Sequence, residues 1–178
     1  MKRIITIFLL IVSLCSYGQI GGDNTYEFLN VPVSARVGAL GGSLIAVKDN
    51  DPTLSLSNPS LLSSEMSGML TLSYLNYFAD INYGFASYVK DFKKAGTFSA
   101  GIKYINYGTF LETDEAGNEL GNFTAGEYAV IIGWGKKIDS LFSVGANLKP
   151  IYSQLYNYYS VGIAMDFSAT YCDTSNGL

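Results

Sequence analysis

From residue 66 onward the chain repeats one pattern: runs in which large apolar residues alternate with small or polar ones, punctuated by turn residues. The runs predict about six strands, at 69–78, 81–90, 97–107, 127–136, 141–155 and 158–171, joined as antiparallel hairpins. Tight reversals are expected at 79–80, 91–96 and 137–140. The stretch 108–126, rich in Gly and acidic residues, is expected to be a long polar loop. Because side chains switch face at every residue, each strand can be split into two sides. Tyr83, Phe85 and Val89 lie opposite Asn82, Gly84, Ala86 and Lys90, and Phe98, Ala100, Ile102 and Tyr104 lie opposite Ser99, Gly101 and Lys103. In the later strands Tyr128, Val130, Ile132 and Trp134, then Val144, Ala146 and Leu148, then Val161, Ile163, Met165 and Phe167 form the apolar side. The other side is small, polar or charged, and the aromatics gather near the strand ends.

Residues 19–65 have a different texture. Gly21-Gly22, Pro32, Gly38, Gly41-Gly42, an Asp49-Asn50-Asp51-Pro52 turn and an Asn58-Pro59-Ser60 turn exclude long regular elements. A short amphipathic helix is expected from Ser34, where Val37, Leu40 and Leu44 recur at helical spacing before the glycines end it.

The first 18 residues read as a secretory signal peptide. Met1-Lys2-Arg3 is a positive start, 4–14 is apolar and Ser16-Tyr17-Gly18 supplies small residues ahead of Gln19. The apolar run is too short to cross a bilayer as a helix, and no later segment is apolar enough to do so. Any membrane crossing must therefore use strands. The division expected is 1–18 signal peptide, 19–65 N-terminal hatch, and 66–178 transmembrane strands.

Composition sharpens this. The 178 residues are 48% hydrophobic and only 15% charged, with 14 Tyr, 10 Phe and 19 Gly. Soluble domains carry about 25% charged residues. Histidine is absent, which removes His-based acid–base catalysis and most zinc sites; no enzyme activity and no cofactor are expected. The net charge of −4 leaves no basic field for nucleic acid. Loss of the signal leaves one cysteine, Cys172, and no internal disulfide.

Strands of about ten residues with one apolar and one small or polar side are the pattern of an outer-membrane barrel, apolar to lipid and polar to the lumen. The fold class expected is all-β: an antiparallel transmembrane β-barrel with an N-terminal hatch. A water-soluble secreted β-sandwich binding module fits the same alternation. Six strands are fewer than the eight of the smallest single-chain barrels, and open edges in hydrocarbon leave backbone groups unpaired. The chain is therefore expected to be the N-terminal part of a longer protein.

Ser34-Ala35-Arg36, Gly41-Gly42, Ala46, Asp49-Asn50-Asp51 and Asn58-Pro59-Ser60-Leu61-Leu62 together resemble the N-terminal hatch of the FadL superfamily of barrels, which have about 14 strands. Gly22-Asp23, Phe28-Leu29-Asn30, Ala79-Asp80-Ile81-Asn82-Tyr83-Gly84, Tyr104-Ile105-Asn106-Tyr107-Gly108 and Gly145-Ala146-Asn147-Leu148-Lys149 resemble, within it, the PorQ-like outer-membrane proteins of type IX secretion. The resemblance implies a non-enzymatic component of the secretion and cell-surface attachment machinery. Such a component holds a PorZ-like surface partner near lipopolysaccharide in the bacterial outer membrane. It also marks Ser34, Arg36, Gly41, Gly42, Asp49, Asp51, Asn58 and Pro59 as hatch residues. The competing function is that of FadL relatives, transport of hydrophobic compounds through the barrel.

Two further groups of residues follow from the pattern. Glu112, Asp114, Glu115 and Glu119 in the 108–126 loop carry no nearby cation and would suit a basic partner patch or a divalent ion bridging to lipopolysaccharide; solvated loop acids are the plainer reading. Lys103, Lys149 and Asp166 fall on the lumen side, where they would line a path for an anionic ligand or, more in keeping with charges inside a barrel, pair with one another or with hatch carboxylates such as Asp49 and Asp51. Ser87-Tyr88-Val89-Lys90 matches S-x-x-K, but a strand puts its Ser and Lys on opposite faces.

Overall fold

The computed structural model describes residues 25–173. The signal-peptide reading, residues 19–24 of the expected hatch and the last five residues lie outside them.

Six antiparallel strands form one sheet in sequence order: β1 (Leu70–Asn76), β2 (Asn82–Asp91), β3 (Thr97–Thr113), β4 (Glu119–Lys137), β5 (Phe142–Leu155) and β6 (Tyr158–Tyr171). The fold is all-β, as the alternation predicts. Every connection is a hairpin. Asp139 closes the β4–β5 turn by accepting from the backbone N–H of Leu141 and Phe142, both at 2.8 Å, and these bonds hold its carboxyl below the usual carboxylate range.

The expected loop at 108–126 is not a loop. Its Gly and acidic residues instead pair across β3 and β4, from Thr109↔Thr124 to Thr113↔Glu119, with only 114–118 left as the turn. The chain tolerates Gly here because the ladder is irregular: the register slips between Asn106 and Thr109, where Gly108 takes a φ of 84° and donates its N–H to Asn106 Oδ1. β2 stops pairing with β3 at Asn106, and β5 stops pairing with β4 at Ala125. The β3–β4 ribbon therefore runs beyond its neighbours, braced by stacked Phe110 and Phe123 and by Tyr156 edge-on to Phe123.

Residues 25–69 pack across one face of the sheet, called here the inner face. They form α1 (Ala35–Ala39) and short 3-10 turns, among them Pro52–Leu56 and Pro59–Leu61. Polar caps start each: Ser34 Oγ accepts from the N–H of Val37, Asp51 Oδ1 from Thr53, and Asn58 Oδ1 from Ser60. Gly41 and Gly42, both at positive φ, end α1, and the N–H of Gly42 returns to Val37 O at 2.9 Å.

The core lies between this segment and the inner face. Phe28 and Val33 pack with Tyr83, Phe85, Ile105, Ala129, Ile131 and Ile151, while Leu62 and Met66 pack on Val89. This corrects the reading of β2. Tyr83, Phe85 and Val89, expected on the lipid side, face the N-terminal segment, and Gly84, Ala86 and Lys90 share the outer face. The reason is steric. The ring of Tyr104, the cross-strand partner of Gly84, lies where a Cβ on Gly84 would sit, so one large side chain covers both outer positions. The small residues of β2 are thus compatible with an apolar outer face, and its large ones are free to build the core.

Candidate functional site

Two surfaces carry the chemistry of the chain, and they are the two faces of one sheet.

Among the described residues no element covers the outer face. Along it, Leu70, Leu72 and Tyr74 of β1, Ile102 of β3, Val130 and Ile132 of β4, and Val161, Ile163, Met165 and Phe167 of β6 are all exposed, Ile163 at 69% and Phe167 at 79%. An unbroken field of this kind far exceeds the few hundred Å² of apolar patch usual on a soluble monomer. Aromatics border it on both sides. Tyr104, Tyr128 and Tyr152 are successive cross-strand neighbours at one end. Phe98 beside Trp134, and Phe142 beside Tyr171, mark the other. From Phe142 to Tyr152 is about 34 Å along a strand at about 3.4 Å per residue. At a tilt of roughly 40° that is about 25 Å of height on β5, comparable to the apolar band of an outer-membrane barrel; on β3 and β4 the aromatics Phe98 and Tyr104, and Trp134 and Tyr128, are six residues apart, about 20 Å along the strand.

The inner face mixes the buried apolar core with polar side chains, and these polar groups hold the N-terminal segment by the backbone. Lys103 is 2% exposed and donates through Nζ to Leu29 O and Val31 O, both at 2.7 Å, with the Tyr83 ring 5.6 Å away. Lys149 pairs with Asp166 at 2.5 Å and reaches Leu56 O at 3.3 Å. Asn147, 3% exposed, donates to Ser55 O at 3.0 Å, and its Oδ1 is buried without a partner. Asn58 donates to Ile45 O and to Thr170 Oγ1, the N–H of Ser60 donates to Ser168 Oγ, and Tyr26 shares a hydrogen bond with Ser160. The segment carrying Pro59 lies so close to β4 and β5 that a Cβ on Gly145 would strike the backbone of Pro59 and Ser60. Small residues on this face are there to admit a backbone, not to line water.

Of the two pairings expected for the lumen charges, the one among themselves forms between Lys149 and Asp166, and the one with hatch carboxylates does not. Asp49 and Asp51 both pair with Arg36 of their own segment, because the turn at 49–51 folds back on α1. The Arg36 guanidinium and the Asp51 N–H hold the Asp49 carboxyl below its ordinary value, and Asp49 in turn raises that of Arg36. The cations of the sheet take backbone carbonyls and Asp166 instead. Asn147, Ser168 and Thr170 escaped the sequence reading as site residues, although alternation places them on the same side as Lys149 and Asp166.

The acids of the ribbon are not equivalent. Asp114 accepts from the N–H groups of Ala116 and Asn118 and from the Asn118 side chain, which depresses its pKa and commits it to shaping the turn. Glu112, in β3, accepts from Tyr156 at 3.0 Å and raises that phenol. Glu115 lies in the turn and Glu119 opens β4, both exposed.

Among the described residues no group of three or more His, Cys, Asp or Glu is placed to hold a metal, and no helix is long and apolar enough to cross a membrane. No family model, curated protein or solved structure matches the chain.

Proposed function

We propose that this chain forms part of the wall, together with the plug, of an outer-membrane β-barrel that acts as a scaffold in type IX secretion and holds a surface partner through its extended β3–β4 ribbon. The observation that carries the membrane part is the bare apolar outer face with aromatics at both of its ends. In water that face would cost about 25 cal/mol for every Å² left exposed, whereas in hydrocarbon it is the compatible surface. The edges of β1 and β6 have no strand partners among the described residues. In lipid they must pair with further strands, so that the sheet closes.

The scaffold part is supported by the density of bonds between the inner face and residues 25–66. Each of Lys103, Asn147 and Lys149 holds a main-chain carbonyl, an arrangement suited to a plug that stays in place. The type IX assignment is supported by the sequence resemblance quoted above. Transport of a hydrophobic compound is the second reading, favoured by a cavity of about 680 Å³ lined by Val31, Pro32, Gly41, Ile131, Lys103 and Lys149.

Cell fractionation and gene deletion test these together. The protein is expected in the outer membrane, running faster on a denaturing gel before boiling than after, and its deletion is expected to release type IX cargo from the surface while fatty-acid uptake stays normal. A soluble periplasmic protein would overturn the membrane reading, and lost uptake with normal attachment would replace the scaffold by the transporter.

A further inference from the structure

At the turn end of the sheet, opposite the acidic ribbon, a cavity of about 760 Å³ opens between the N-terminal segment and the β2–β3 and β4–β5 hairpins. We infer that this cavity is a binding site for a phosphorylated ligand, held by Lys48, Lys93, Lys94 and Lys137, with Lys136 at its edge on the side of the strand that carries Trp134. This goes beyond the scaffold reading and does not depend on it.

The charge arrangement carries the inference. Five lysines line one cavity, and none of them has an ion pair among the described residues. The remaining described cations all have defined partners, except Lys90 on the outer face: Arg36 has Asp49 and Asp51, Lys149 has Asp166, and Lys103 has two carbonyls. Three acids share the lining, and the five lysines outnumber them. Asp49 is committed to Arg36, and Asp91 accepts from Thr97 Oγ1 and from the N–H of Lys93. Glu65 is exposed at the rim. Like charges brought together around a concave volume focus a positive potential there, and the volume falls within the range of small-molecule sites.

The surroundings add hydrogen-bonding capacity. Ser63 lines the same cavity, and its hydroxyl is buried without a partner. The turn carrying Lys93 and Lys94 is fixed in place: Trp134 Nε1 donates to Ala95 O at 2.8 Å, and the Phe92 N–H to Gly96 O at 3.0 Å. Two of the five lysines thus project from a braced turn and one from the plug, so a bound anion would bridge plug and wall. Phosphate suits the set because lysine binds it as a compact point charge with several donors. The phosphate could be carried by a soluble ester or by a phospholipid headgroup at the membrane surface.

Titration calorimetry of the full chain in zwitterionic lipid vesicles, with inorganic tripolyphosphate as probe, tests the site. Submillimolar binding is expected, weakening as salt rises. The double substitution Lys93→Gln, Lys94→Gln is expected to weaken it about tenfold or more, the scale of a charge-assisted bond, and Lys137→Gln by a similar step. Lys90→Gln, on the outer face, is the control and should change nothing. Replacing part of the lipid by phosphatidylglycerol separates the sources: competition with the probe identifies a headgroup ligand, and unchanged affinity a soluble one. Absence of binding at millimolar probe, or binding equally indifferent to the cavity lysines and to Lys90, would overturn the inference.

Discussion

The two faces of the six-stranded sheet invert the usual relation between burial and polarity. On the outer face, Ile132, Ile163, Met165 and Phe167 are bare; on the inner face, Lys103 and Asn147 are nearly inaccessible. A water-soluble sheet would do the opposite, with its large apolar side covered and its lysines solvated. The difference teaches what each face is matched to. On the proposed placement, side chains on the outer face meet hydrocarbon, which asks only for apolar surface. Those on the inner face meet one particular chain segment, and among them Lys103, Asn147 and Lys149 each have a named acceptor in residues 29–56.

The contrast can be broken most strongly from the outside. Ile132→Arg, on the outer face between the Tyr128 and Trp134 borders, is expected to destabilise the inserted protein by about 2–4 kcal/mol, measured as the shift in a urea refolding curve in lipid vesicles. The same change on a water-facing surface would stay within about 0.5 kcal/mol. Next in size is Lys103→Met, which leaves the Leu29 carbonyl without its donor and the Val31 carbonyl with the Tyr83 hydroxyl alone. A cost of about 1–3 kcal/mol is expected for stranding a buried acceptor, read as faster amide exchange confined to residues near 28–33.

A smaller effect is expected for Asp166→Asn. It removes the partner of Lys149, but Asp166 is partly exposed, so about 1 kcal/mol is the expected loss. The smallest effect is a pH dependence. Asp49 has a folded-state pKa below its ordinary 3.8, so the stability it lends the plug is fully present above about pH 4 and disappears as pH falls through the depressed value. Exchange protection around 34–51 should be flat from neutral pH to about pH 5 and fall below pH 4, and Arg36→Gln should flatten that fall.

How far the sequence reveals this contrast differs from strand to strand. In β4, β5 and β6 the large apolar residues share one side with few exceptions, and the alternation alone identifies both faces. In β2 it misleads, because Tyr83 and Phe85 are larger than Gly84 and Ala86. Only the neighbouring Tyr104 ring, which the pairing register brings over Gly84, reveals why the small side faces outward. Residues 108–126 mislead for a different reason: composition favours a loop, and cross-strand pairs such as Phe110 with Phe123 become partners only after the turn at 114–118 has formed. The polar side of the sheet is legible as residue types, but its partners are not. The acceptors of Lys103 are main-chain carbonyls, which every residue possesses and no motif marks.

One measurement bears most directly on the outer face. Trp134 is the only tryptophan in the chain, and it sits on that face at the Phe98 border, so its fluorescence reports one known position. In vesicles whose acyl chains are brominated at stated depths, the chain is expected to show blue-shifted emission. Quenching should be strongest for bromines near the headgroup end and fall toward the bilayer centre. Emission that is quenched freely by aqueous acrylamide and untouched by brominated lipid at any depth would contradict the placement of this face against hydrocarbon.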